Sequence, residues 1–248
     1  MTVADAPDPP LKVVDYGDSG ILVTVNAPDR ETRWSVAHRL AAAVVRANPP
    51  WLTDLVASYD SVFLEFDPVV ASHAEVRATL RGELAAAAPA HRARAFTIPV
   101  VYGGEHGPDL DEVAAELSLS PEQVVSRHAG TPWVIRFLGA PAASPMMDRS
   151  DVTASVRRRK EPRTAVPAGS LGVSGQQSII YPVTSPGGWR LIGRTPVQLL
   201  DIVREPLVPY RPGDTFTLVP IRPADWDRWS GCLHDLADRL AEELQPRA

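Results

Sequence analysis

Lysine is nearly missing from this 248-residue sequence: of its 25 basic residues, only Lys12 and Lys160 are lysines. No segment reads GxxxxGK, which excludes a P-loop phosphate cradle. Schiff-base or Ser-Lys chemistry would have to rest on one of those two side chains, and no lysine stands between methionines as in a biotin carrier. Cysteine is scarcer still. Cys232 stands alone, which excludes an intramolecular disulfide framework and a multi-cysteine zinc site and fits a reducing compartment. His38, His73, His91, His106, His128 and His234 show neither HxH nor HxxxH spacing, so no metal is expected. No apolar run approaches a membrane span of about 18 residues, and Met1 to Pro10 is polar and acidic without an apolar signal core. The expectation is a cytoplasmic protein without a membrane partner. A net charge of −5 and a pI near 5.7 supply no broad positive field, so nucleic acid is not an expected partner.

Proline is what the chain has in excess. Its 25 prolines are about twice the usual ~5% share, yet they alternate with apolar segments instead of gathering in a low-complexity tract. They punctuate short elements. Lys12–Tyr16 and Ile21–Val25 are β-type runs around the turn Gly17-Asp18-Ser19-Gly20. Trp34, Ala37, Leu40, Ala41, Val44 and Val45 then follow helical spacing until Asn48-Pro49-Pro50. Leu55–Tyr59 and Ser61–Phe66 read as strands, Val70 to Ala88 as a helix and Phe96–Val101 as a strand. From Ile21 the order is β-α-β-β-α-β, that of a ferredoxin-like layer.

Beyond Val101 the texture changes to Gly/Pro loops and short elements. One helix is expected to start at Asp109, with Glu112 at its third position. Another is expected at Ser120, where Pro121 and Gln123 complete a capping-box pattern. Trp133–Leu138, Leu171–Val173, Ser178–Pro182, Trp189–Gly193 and Thr215–Ile221 are short β runs, which argues for a barrel or a sandwich. Thr195-Pro196-Val197-Gln198 carries the signals of one capped helical turn. From Asp225 to Leu244 an amphipathic helix is expected, packing either on its own chain or on another subunit. The division is 1–95, 96–222 and 223–248.

Three stretches carry chemical potential. Arg157-Arg158-Arg159-Lys160, with Arg163 nearby, is either a loop that holds a phosphate or carboxylate or a merely solvated one. Pro167 to Gln177 packs glycines, serines and amides together, so backbone N–H groups could approach a ligand and a glutamine could read an amide or ureido group; equally, it suits a barrel edge. It does not fit GxSxG. In Ser185 to Pro196, Trp189 offers a flat apolar wall, and Arg194 would stand before a helix N-terminus that favours anions.

The strings YGGEHGPDLDEVA (Tyr102–Ala114), PRTAVPAGSLGVSGQQSIIYP (Pro162–Pro182) and SPGGWRLIGRTP (Ser185–Pro196) resemble the allophanate hydrolase subunit 1 family. That family includes the B component of bacterial 5-oxoprolinase, Kip-type histidine-kinase inhibitors and part of the carboxyltransferase region of urea carboxylase. The resemblance implies an α+β fold, with an N-terminal α/β domain followed by a cyclophilin-like β-barrel. It implies a homologous barrel subunit as partner and, in the 5-oxoprolinase assembly, a third component, with ATP used at the level of the complex. The expected activity is that of a non-autonomous subunit of an amidohydrolase acting on a small cyclic amide or ureido substrate. A kinase inhibitor without chemistry and a urea carboxylase-like carboxyltransferase component are the alternatives. On this reading Gln177 and Tyr181 contact the amide, Arg194 takes a carboxylate or phosphate, Gly169, Ser170 and Gly175 belong to a loop of backbone donors, and Gly188 and Trp189 complete the binding set. No catalytic set is assigned. Between Phe137 and Asp148 the chain departs from the family's usual aromatic, Gly/Pro-rich loop, and Gln176 to Pro182 replaces the usual NQTGIYP.

Overall fold

A computed structural model describes residues 10–85, 93–152 and 154–244. The chain divides between residues 92 and 93 into two compact units.

In the first unit β1 (Leu11–Tyr16) and β2 (Gly20–Val25) precede α1 (Arg30–Ala47), β3 (Leu52–Ala57), β4 (Ser61–Phe66) and α2 (His73–Ala85). The Asp29 carboxylate accepts the Thr32 N–H at 2.7 Å and caps α1, and Asn48 ends it in the left-handed region at φ 43°. The strands form an antiparallel sheet in the order β1-β2-β4-β3. Alternation puts Ile21, Val23 and Val25 of β2 and Val62, Leu64 and Phe66 of β4 into one core with Val36, Leu40 and Val44 of α1 and Val76 and Leu80 of α2. β3 starts three residues before the expected strand, and α2 starts three residues after its expected beginning; residues 86–88 of that expected helix lie outside the described residues.

The ferredoxin-like assignment needs correction at its last strand. The Phe96–Val101 segment does not return to this sheet; β1 occupies the edge beside β2 that the sixth element would have taken. Alternating apolar residues satisfy either sheet, and local pattern cannot choose between them.

The second unit begins with β5 (Ala95–Tyr102), α3 (Leu110–Leu117), α4 (Pro121–Ala129), β6 (Trp133–Gly139) and β7 (Ser144–Asp148). Next come β8 (Arg163–Val166), β9 (Ser170–Ser174), β10 (Gln177–Ile180), β11 (Ser185–Gly187), β12 (Arg190–Arg194) and β13 (Val197–Gln198). It closes with β14 (Thr215–Pro220), β15 (Gly231–Cys232) and α5 (Leu233–Glu243). Seven strands close a barrel in the order β10-β7-β6-β14-β5-β12-β9. β5 runs parallel to β14 through six pairs but meets β12 only at Val101 and Tyr102. Pro99 therefore leaves no ladder position empty on the β12 side. Phe96, Ile98, Ile135, Leu171, Ile180, Ile192, Phe216 and Leu218 fill the interior.

Four expectations change here. α4 carries the full capping box, but Thr195–Gln198 is not helical: Val197–Gln198 is strand β13, paired in parallel with β15. Four residues close too few hydrogen bonds to offset helix nucleation. The C-terminal helix is interrupted: 3₁₀ turns at Pro223–Asp225 and Asp227–Trp229 and an extended Gly231 at φ 145° come before α5. The C-terminal segment is not a third region, since α5 packs Leu233 and Leu240 into the barrel-unit core. Finally, Ser144–Asp148, expected as loop, forms β7, reached through a turn in which Ala142 and Ala143 stand at φ 56° and 57°. No helix among the described residues is long and apolar enough to cross a membrane.

Candidate functional site

The arginine-rich loop is pinned by one carboxylate. Asp109 precedes α3 but makes no side-chain cap there. It is 1% exposed and accepts from Arg163 Nη1 and Nη2 at 2.9 and 2.8 Å, from Arg159 Nη1 at 3.0 Å and from the Leu191 N–H at 2.7 Å. Burial pushes the Asp109 carboxyl up, but the Arg163 and Leu191 hydrogen bonds and the two guanidinium charges outweigh it and hold the group below its ordinary range. Arg157 binds Glu116 through its backbone N–H at 2.9 Å and its Nε at 3.1 Å. Among the described residues, Arg158 alone of these four arginines has no hydrogen-bond or ion-pair partner. Its guanidinium lies 5.9 Å from the centroid of the Trp189 ring.

That ring forms part of a cavity of about 460 Å³ lined by Phe137, Pro141, Met146, Gln177, Tyr181, Trp189 and Arg158, among others. Each part is positioned by the barrel. Gln177 begins β10, opposite Ser174 of β9 and Asp148 of β7. Tyr181 follows β10 and is nearly buried, and a Cβ on Gly187 would lie 2.3 Å from its hydroxyl oxygen. Only glycine leaves Tyr181 this space. Burial raises the phenol above its usual range despite opposing effects from Arg158, the Trp189 N–H and Arg163, so at neutral pH Tyr181 keeps its proton as a hydrogen-bond donor. The cavity thus joins aromatic walls, an amide, a neutral phenol and a cationic rim.

A second cavity, of about 390 Å³, is lined by apolar residues of α3 and α4 with His128, Trp133, Arg149 and Gln177. His128, on its wall, belongs to a chain of polar groups that satisfy one another. Tyr102 Oη lies 3.0 Å from His128 Nδ1, His128 Nε2 3.1 Å from Ser178 Oγ, and Ser178 Oγ 3.3 Å from the Gly172 carbonyl. A carbonyl can only accept, so Ser178 donates to Gly172, His128 donates through Nε2, and Tyr102 donates to Nδ1. Burial, followed by the Arg149 charge, pushes the His128 pKa down to about 3, while burial raises Tyr102. Arg149 donates to the Arg127, His128 and Thr131 carbonyls at 2.9, 3.1 and 3.0 Å and binds Asp151 at 3.0 Å. Ser178 is 0% exposed and gives its proton to a carbonyl, so this Ser-His pair is not an activated nucleophile.

The profile of the carboxyltransferase domain, subdomain C and D, matches residues 11–210. The chain belongs to this family. The B component of 5-oxoprolinase from Escherichia coli O157:H7 is 46% identical over 127 residues, which are 51% of this chain and 58% of that protein. Its counterpart of the same name from Bacillus subtilis (strain 168) is 33% identical over 228 residues, 87% of this chain and 95% of that protein. The crystal structure of TTHA0988 superposes with a TM-score of 0.72 at 34% identity, covering 82% of this chain and 40% of that longer one. The chain therefore spans less than two thirds of both the E. coli and the TTHA0988 proteins in these matches. The Kluyveromyces lactis urea amidolyase structure, at 16% identity and a TM-score of 0.73, covers 100% of this chain with 18% of its own length and shares the fold.

In this carboxyltransferase-domain chain the expected site residues fall into two groups. Gln177, Tyr181 and Trp189 meet in the 460 Å³ cavity, and Gly188 lies beside it, its carbonyl accepting the Arg159 N–H at 2.9 Å. The other group is not at this cavity. The backbone N–H groups of Gly169, Ser170 and Gly175 donate to Tyr181, Pro167 and Val156 carbonyls, so they are barrel joints and not ligand donors. Gly169, at φ 82°, is required because a Cβ would stand 2.4 Å from the Thr195 carbonyl oxygen. Gly175 lines the second cavity. Arg194 donates its Nε to the Ala168 carbonyl at 2.8 Å and lies over Trp226, and no helix begins beside it. The helix N-terminus expected to reinforce its anion role is therefore absent, and its Nε is already engaged. Sequence reasoning did not select Phe137, Met146, Asp109 or the Tyr102–His128–Ser178 chain. A polar Ser178 on an inward strand position was the available signal, since buried hydroxyls require partners. Among the described residues no group of three or more His, Cys, Asp or Glu is placed to hold a metal ion.

Proposed function

We propose that this chain is the B-type component of an ATP-dependent 5-oxoprolinase, and that the 460 Å³ cavity receives the small cyclic amide. The observation that carries this reading is the convergence of Gln177, Tyr181 and Trp189 on one cavity in a chain whose relatives are, by name, subunits of a 5-oxoprolinase. A lactam presents one N–H and one C=O on the same edge, and the Gln177 amide offers the complementary acceptor and donor. The Tyr181 hydroxyl supplies a further donor, and Trp189 and Phe137 cover the ring's apolar faces. Arg136-to-Asp148, where the chain departs from its family, still builds a wall, because Phe137, Pro141 and Met146 line the cavity from β6, its turn and β7. This favours ligand binding over the kinase-inhibitor alternative.

Among the described residues no histidine or carboxylate lines this cavity beside Ser174, so it offers recognition without a nucleophile-base pair. Ring opening to the open-chain amino acid is accordingly assigned to the assembled complex. A homologous barrel subunit and a third component complete it, and ATP supplies the driving force there. The assembly, copurified with the subunits encoded beside this chain, is expected to consume ATP faster when 5-oxoproline is added; an unstimulated rate in the complete complex overturns the reading. A carboxyltransferase component is the second reading, favoured by the family's domain description. It requires a biotinylated carrier whose carboxyl group is discharged only when this chain is present, and a carrier assay without that dependence excludes it.

A further inference from the structure

We infer that Arg158 is the carboxylate-recognition residue of the 460 Å³ cavity, so that the site selects small carboxylated amides over neutral ones. The inference rests on the assignment of that cavity as the ligand site and adds the group that reads the ligand's charge. It starts from the run Arg157-Arg158-Arg159 with Arg163. Three of these guanidinium groups are committed: Arg157 to Glu116, and Arg159 and Arg163 to Asp109. With Arg157 held by Glu116 on one side and Arg159 and Arg163 held by the buried Asp109 on the other, the loop is anchored on both sides of Arg158. Arg158 itself is exposed, has no hydrogen-bond or ion-pair partner among the described residues, and lies over Trp189 at the cavity. A guanidinium held near an indole face by its charge spends no N–H group on that contact, and its planar fork of donors matches the two oxygens of a carboxylate.

The rest of the lining agrees with this assignment. Gln177 and the protonated Tyr181 read neutral polar atoms, and among the described residues no carboxylate side chain lines the cavity to neutralise Arg158. One cation beside an amide and a phenol suits a singly charged organic acid. A phosphate or nucleotide would usually meet several cations or a row of backbone N–H groups, and here the neighbouring arginines are turned away onto Asp109 and Glu116.

The test uses the full chain and calorimetric or NMR titration with 5-oxoproline, its uncharged counterpart 2-pyrrolidinone, the open-chain acid N-acetylglycine, and inorganic phosphate. Wild type is expected to bind 5-oxoproline about tenfold or more tightly than 2-pyrrolidinone, the range of a charge-assisted hydrogen bond. Arg158→Gln should abolish that gap while leaving 2-pyrrolidinone affinity unchanged, Arg158→Lys should retain part of it, and Arg157→Gln should keep it. Since Arg158 holds no bonded partner, its variants should match wild type in thermal midpoint, and Arg158→Lys covers a failure of the glutamine variant to fold. If neither lactam binds but N-acetylglycine does so in an Arg158-dependent way, the 5-oxoprolinase reading fails and the role of Arg158 stands. The inference is overturned if Arg158→Gln keeps the gap, if Arg157→Gln erases it equally, if phosphate outcompetes the carboxylates, or if no carboxylate binds.

Discussion

The two cavities of the barrel unit contain the same kinds of polar group, arranged to opposite ends. In the 390 Å³ cavity Arg149 is 6% exposed at its side chain and spends its donors on three backbone carbonyls and Asp151, while His128 sits neutral between Tyr102 and Ser178. In the 460 Å³ cavity Arg158 is exposed and, among the described residues, unbonded beside an amide and a phenol. An arginine whose donors are all used holds structure together; one left open beside a cavity remains available to a ligand. Burial decides which it is, since a buried unpaired group would be too unfavourable to persist.

The comparison can be broken most severely at its anchor. Asp109→Asn removes the charge that holds Arg159 and Arg163, and urea denaturation should show a loss of about 3–5 kcal/mol, the range for breaking a buried ion pair. Because the folded carboxyl lies below its unfolded value, this contribution is fully present above about pH 4 and disappears as pH falls through the lower folded pKa. The variant should lack that acid-limb loss.

Arg149→Gln should cost about 2–3 kcal/mol in the same assay, because it strips charge-assisted bonds from the carbonyls at the C-terminal end of α4. Arg158→Gln should leave stability within about 0.5 kcal/mol, as expected for an exposed side chain away from structural contacts. Equal effects from the two substitutions would erase the distinction between the cavities.

His128 sharpens it through pH. Its folded pKa of about 3 lies below the ordinary ~6.5, so the unfolded chain binds a proton that the folded one excludes. Stability should be unaffected above pH 6.5 and then fall by at most about 1.4 kcal/mol per pH unit down to pH 3. Thermal melts of His128→Gln should show a flatter slope across that window, from a lower plateau.

The smallest effect is expected at the β6–β7 turn. Ala142 and Ala143 stand at φ 56° and 57°, and Ala143→Gly should raise stability by about 1 kcal/mol, since glycine escapes the left-handed penalty. A fall in thermal midpoint would mean that the methyl group contributes packing against the barrel-unit core.

The contrast between those two arginines was invisible in the sequence. Arg157-Arg158-Arg159 is a run of identical side chains, and what separates its members is Glu116 and Asp109, 41 and 50 residues away. Asp109 had every local mark of a helix cap, yet partners far along the chain claimed it. Gln177, Tyr181 and Trp189 were legible because an amide, a phenol and an indole near glycine-rich turns suggest recognition. Gly169 and Ser170 came from the same strings but serve the barrel's own ladder. Thr195–Gln198 misled because capping residues were present without enough chain to propagate a helix.

Elements whose cause lies within a few residues could be derived from chemistry alone: the Gly17–Gly20 turn, the Asn48 stop, the Ser120 capping box and the alternating strands β2 and β4. The fold's long-range choices could not. That β5 leaves the first sheet for a barrel, that Gly231 breaks the final helix against Leu236, and that one arginine of four stays open are settled by neighbours brought together only on folding. Propensity and alternation act over one turn or one pleat, whereas strand pairing and buried charge depend on which distant partner arrives.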